Sequence, residues 1–154
     1  MSLFVWSSDY SVNHAHIDNQ HKELFRLADD LHGAMMRGAA KTVINDTLRK
    51  LVDYTRSHFR EEEGMMLKSG YPQYASHKAE HDSLTAQVLD LQRDQDAGRV
   101  AVTGDTMRFL RAWLERHIMI TDRKLSSFFA HKKDLSASSV LSAVGPTSSP
   151  LRKH

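Results

Sequence analysis

From about Asp18 onward, apolar residues recur at helical rather than strand spacing, as in Leu24, Leu27 and Leu31 and again in Leu48, Leu51 and Val52. The pattern predicts a first helix from about Asp18, its N-cap, to about Arg37, with Gly38 as the stop signal. A second helix is expected from about Thr42 to Lys68, ended by Gly70. Pro72 falls in the first turn of a third, from about Pro72 to Ala97, which Gly98 closes. A fourth starts near Thr103 or Asp105 and carries Phe109, Leu110, Trp113, Leu114 and Ile118 toward Phe129. Short connections force neighbouring helices to run antiparallel. The expected fold is therefore all-α, an up-down-up-down four-helix bundle with helices roughly 30 to 40 Å long.

The pattern divides the chain into three parts. Residues 1–17 hold Phe4, Val5, Trp6, Tyr10 and Val12 without helical period, which predicts an irregular N-terminal arm whose aromatics need a surface to cover. Residues 18–131 form the bundle. Residues 132–154 become rich in Ser, Pro and Gly after Asp134 and end in Leu151-Arg152-Lys153-His154. They read as a flexible or peripheral C-terminal extension, with a short helix over Ala137 to Val144 compatible with the sequence.

Composition narrows the chemistry. At 154 residues with 40% hydrophobic and 26% charged content, the chain has the material for one domain and one core. Its 21 basic and 19 acidic residues leave a net charge of +2, with no basic stripe, so nucleic acid is not an expected partner. No apolar stretch approaches the roughly 20 residues that span a bilayer, and Met1 to Tyr10 lacks the pattern of a signal peptide, so a cytoplasmic location is expected. With no cysteine, thiolate metal sites, iron–sulfur clusters and cysteine nucleophiles drop out together. Any metal must use histidine and carboxylate.

Ten histidines are present, and their placement matters more than their number. His58 and Glu62 are spaced i, i+4 on the second helix, so both side chains leave one face across a single turn. His77 and His81 repeat the spacing on the third. His21 lies beside Leu24 and Phe25, and His117 between Trp113, Leu114 and Ile118. A lone inward histidine is ordinarily a hydrogen-bonded core residue. Here every helix offers one at comparable depth, and an antiparallel bundle brings those depths together. Several buried imidazoles and carboxylates without a metal would be very costly, so the cluster reading prevails. His14, His16, His32, His131 and His154 fall outside it, and the methionines read as packing. Glu61 and Glu63 read as solvated surface on either side of Glu62.

These residues resemble the hemerythrin family, and specifically its single-domain bacterial members. The resemblance rests on Ile17-Asp18-Asn19-Gln20-His21-Lys22-Glu23-Leu24-Phe25, His58-Phe59-Arg60-Glu61-Glu62, Gly70-Tyr71-Pro72, His77-Lys78-Ala79-Glu80-His81, and His117 with Asp122 five residues on. It covers about Trp6 to Phe129; the tail after about Lys133 lies outside the family pattern. It implies that His77, His81 and His117 bind one iron, that His21 and His58 bind the other, and that Glu62 and Asp122 bridge the pair together with an oxo or hydroxo group. It also implies an oxygen pocket of Leu24, Phe59, Trp113 and Ile118. One spacing strains a regular helix, because five residues set His117 and Asp122 roughly 140° apart. A local π-type turn near Ile120 would bring them to one side.

The implied ligand set points to dioxygen as the ligand. Two octahedral irons need about twelve coordination positions. Five imidazoles, two bridging carboxylates and the bridging oxygen leave one open, on the iron of His21 and His58. Reversible dioxygen binding follows as the expected function, a carrier, storage or delivery protein rather than an enzyme. The alternative is an oxygen or redox sensor, or a di-iron scavenger of nitric oxide or peroxide. An oxygen-using enzyme or a signalling partner could dock through the C-terminal tail. Ferritin-like di-iron oxidases use two Glu-x-x-His motifs, and no glutamate precedes a clustered histidine by three residues. A zinc hydrolase would show His-Glu-x-x-His, which is also missing.

Overall fold

The computed structural model describes residues 2–143, with side chains through residue 133. Val144 and the rest of the proposed tail, through the Leu151 to His154 terminus, lie outside the described residues. Three helices, α1 (Ala15–Met36), α2 (Lys41–Ser69) and α3 (Tyr74–Asp96), precede a fourth rod. That rod comprises α4 (Gly104–Arg116), a π-helical turn (His117–Asp122) and α5 (Arg123–Ala143). Connections of a few residues set the four rods antiparallel, as an up-down-up-down bundle.

The helix ends follow local chemistry, with corrections to the expected boundaries. α1 begins at Ala15, because Asn13 takes a positive φ of 59° and the His14 side chain caps the helix by accepting from the Ile17 amide. Asp18 is therefore not the N-cap. It sits in the first turn and ties the arm down, accepting from the Val12 amide at 2.9 Å and the Ser11 hydroxyl at 2.6 Å. α2 ends at Gly70, whose φ of 69° is the left-handed conformation that glycine adopts without penalty, and the Tyr71 amide closes back on the Met66 carbonyl. Pro72 lies in the turn before α3, outside the helix. α4 is capped by Thr103, which accepts from the Thr106 amide while Thr106 accepts from the Thr103 amide. The final helix does not stop near Phe129 but runs unbroken to Ala143, so the segment from Ala137 continues α5 rather than forming a helix of its own.

The arm covers the bundle as its aromatics require. Phe4, Trp6 and Tyr10 surround Phe25, with ring centroids 6.2, 5.6 and 5.0 Å away. Ser126 donates to the Val12 carbonyl at 2.6 Å, fastening the arm across α5. The core comes in two clusters. The larger includes Leu31, Leu48, Val88, Met107 and Leu110, and the smaller consists of Met66, Tyr71 and Leu125. Along α2 the span between Leu48 and Met66 holds His58 and Glu62, and along the fourth rod the span between Leu110 and Leu125 holds His117 and Asp122. The polar layer is thus enclosed by apolar packing at both ends.

Candidate metal centre

Each rod contributes to this layer: His21 from α1, His58 and Glu62 from α2, His77 and His81 from α3, and His117 and Asp122 from the fourth. All seven side chains are at most 2% exposed. The π turn makes the last contribution geometrically possible. The Arg123 amide bonds to the Ile118 carbonyl five residues back, and the widened turn sets His117 and Asp122 on the same side.

The side chains sort into two pockets that share the carboxylates. In the first, Nε2 of His77 lies 2.6 Å from Glu62 Oε1 and 3.0 Å from Asp122 Oδ1. His81 Nε2 is 3.1 Å from Glu62 Oε1, and His117 Nε2 is 3.2 Å from Asp122 Oδ1. In the second, His21 Nε2 faces Asp122 Oδ2 at 2.9 Å and His58 Nε2 faces Glu62 Oε2 at 3.4 Å. One oxygen of each carboxylate thus turns to the pocket of three imidazoles, and the other to the pocket of two.

Hydrogen bonding does not account for this crowding. Both nitrogens of His21, both oxygens of Asp122 and Oε2 of Glu62 are buried without a hydrogen-bond partner. The 2.9 Å approach of His21 to Asp122 lacks hydrogen-bond alignment. Ligand atoms about 2.1 Å from a metal and at right angles to one another stand about 3 Å apart. The observed separations match that spacing, and the donors of each group lie within 4.8 Å of one another. Hard oxygen and borderline imidazole donors suit a first-row metal such as iron.

The electrostatics point the same way. Burial opposes a charge on His77 and His117, yet the Asp122 and Glu62 carboxylates overcome it and lift them to about 9 and about 10. Burial pushes His58 down to about 4, with the Glu62 charge opposing. Burial also favours protonation of Glu62 and Asp122, but the facing imidazoles hold both below their ordinary values, Asp122 well below. The layer is therefore arranged to concentrate positive charge between two carboxylates.

Around the layer, Phe59 stacks on His81 at 3.9 Å between centroids and Trp113 on His117 at 4.5 Å. Leu24, Phe59 and Ile118 are buried, whereas Trp113 is half-buried and lines an outer cleft of about 510 Å³ with Glu80, Arg116 and Lys124. Several supporting residues escaped the sequence reading. Gln20 lies 2.7 Å from Nδ1 of His58, Glu63 lies 2.8 Å from Nδ1 of His81 and Glu80 lies 3.1 Å from Nδ1 of His117. Glu63 is thus not solvated surface, and Glu61 is engaged by His16 and Gln20. Sequence spacing gives no signal for these pairs, because each joins different helices. His14 caps α1, His16 pairs with Glu61, and His131 is exposed; like His32, none of them joins the cluster.

Comparison with known proteins gives this layer a context. Residues 12–128 match the hemerythrin HHE cation binding domain. The chain belongs to the hemerythrin family. A bacteriohemerythrin of Methylococcus capsulatus is 40% identical over 124 residues, covering 80% of this chain and 94% of its own. One from Stenotrophomonas maltophilia is 34% identical over 126 residues, covering 80% of this chain and 79% of its own. The crystal structure of a wild-type hemerythrin superposes with a TM-score of 0.78 at 38% identity, over 82% of this chain and 97% of that one. In a hemerythrin bundle, this His/Glu/Asp layer is a metal centre of the di-iron type. Among the described residues, no helix is long and apolar enough to cross a membrane.

Proposed function

We propose that this hemerythrin binds dioxygen reversibly at two non-haem iron ions bridged by an oxo or hydroxo group. His77, His81 and His117 with Glu62 Oε1 and Asp122 Oδ1 would hold one ion, and His21 and His58 with the other two carboxylate oxygens the second. The carrying observation is the unequal donor count of the two pockets, five against four. Adding one shared bridging oxygen fills an octahedron at the five-donor pocket and leaves one position at the other. When bound, the two irons supply the electrons that reversible oxygen binding requires.

The protein's own part is to keep that position single and dry. The carboxylates fix the separation of the two pockets. Leu24, Phe59 and Ile118 supply buried apolar surface beside the ligands, and Trp113 covers His117 on the side of the outer cleft. Excluding water and bulky reductants from such a site favours release of the ligand unchanged.

The test is the visible spectrum of iron-loaded protein, reduced without air, exposed to oxygen, then purged with inert gas. A band that appears with oxygen and fades on purging, at about two irons per chain, is expected. Irreversible oxidation in air with no such band would overturn the carrier reading in favour of redox or scavenging chemistry.

A further inference from the structure

The ligand imidazoles differ in what stands behind them. In the five-donor pocket, Nδ1–H of His81 donates to the carboxylate of Glu63 at 2.8 Å, and Nδ1–H of His117 to that of Glu80 at 3.1 Å. Glu63 is only 18% exposed, so its charge is poorly screened. Nδ1 of His77, the third imidazole there, is buried without a partner, whereas in the four-donor pocket neither imidazole has a charged one. His58 donates to the amide oxygen of Gln20 at 2.7 Å, and Nδ1 of His21 is buried without a partner. The direction of the Gln20 amide is fixed from outside, because its nitrogen donates to Glu61 Oε2 at 2.7 Å while His16 holds the other oxygen of Glu61. The oxygen end must therefore face His58.

A carboxylate behind an imidazole raises its basicity and strengthens its hold on a cation; a neutral amide orients the ring but contributes less. We propose that Glu63 and Gln20 are positioning residues that make the two pockets electronically unequal. The carboxylate-backed pocket takes the first divalent metal and stabilises the higher positive charge. The amide-backed pocket remains the weaker site, where a ligand exchanges. The inference rests on the pair of metal pockets in the proposed function but not on oxygen binding.

Stepwise zinc binding to the metal-free full chain, followed by competition with a chromophoric chelator, tests it without redox or oxygen chemistry. The unsubstituted chain should bind two zinc ions in separated steps. Glu63→Gln should weaken the first step by about 10- to 100-fold and leave the second in place. The paired exchange of Gln20→Glu with Glu61→Gln keeps net charge and hydrogen bonds while moving a carboxylate behind His58, and it should tighten the second step. Asp90→Asn, on the exposed far part of α3, controls for loss of one negative charge. Both changes therefore narrow the gap between the steps, whereas mere structural damage would weaken both steps in both variants. An unchanged gap, or a paired exchange that weakens the second step, overturns the inference while leaving the oxygen reading intact. Binding of a single zinc ion overturns the two-pocket basis of both.

Discussion

At one end of the bundle the inward positions of the helices are Leu31, Leu48 and Met107; a few turns along the same helices they are His21, His58 and His117, and every one of these side chains is at most 2% exposed. Equal burial has opposite consequences. At the apolar end it removes hydrocarbon from water, each full side chain contributing about 1.5–3 kcal/mol. In the donor layer it strips water from imidazoles and carboxylates and leaves His21, Asp122 and one oxygen of Glu62 without hydrogen-bond partners, a cost that a buried cation would offset. The bundle is held together unconditionally at one end and conditionally at its centre.

The largest expected effect sharpens the unconditional side. Leu31→Ala should cost about 2–5 kcal/mol of unfolding free energy in chemical denaturation. The loss should be the same with and without metal, because Leu31 sits among apolar side chains away from the ligands. A loss that depends on metal loading would show that the two regions are one cooperative unit energetically.

Next in size is the effect of the metal itself. Metal at about 100 times its dissociation constant should add about 2.7 kcal/mol to folding stability, because the pockets exist only in the folded chain. Chelation should lower the melting temperature, and restoring iron or zinc should return it. A chelated protein that melts where the loaded one does would break the comparison and mean that internal ion pairs alone satisfy the layer.

How far the sequence showed this division depends on how local each feature is. His58 with Glu62 and His77 with His81 stand one turn apart, so spacing alone set each pair on one face. His117 and Asp122 broke helical spacing, and that misfit pointed to the π turn the structure contains. Gln20, Glu63 and Glu80 stayed hidden because each meets an imidazole 38, 18 or 37 residues away on another helix. Asp18 was misread for a related reason. Its residue type suits a cap, but the positive φ of Asn13, which no pattern announces, starts the helix earlier.

The finest probe of the conditional layer is pH, because protons and a metal held by the proposed ligands would compete for the same Nε2 atoms. In the metal-free chain His77 and His117 are lifted from 6.5 to about 9 and about 10, burial opposing and the carboxylates prevailing. Raised folded values stabilise fully below the unfolded value, and that contribution is lost as pH climbs through the folded ones. His58, pushed by burial from 6.5 to about 4, adds a penalty as pH falls across that interval. The depressed carboxylates Glu62 and Asp122 likewise stabilise above their unfolded values and lose that contribution in acid. The metal-free protein should therefore be most stable near pH 6.5 and weaken toward pH 9, on the order of 1 kcal/mol per pH unit for each of the two raised imidazoles. With zinc bound, the same nitrogens carry metal instead of protons, so the weakening toward pH 9 should disappear. Melting temperatures of the two forms at pH 6.5, 7.5 and 8.5 should diverge steadily, the loaded form staying level while the metal-free form declines. Parallel curves would show that these imidazoles do not exchange protons for metal, and the donor layer would then be a structural ion-pair network.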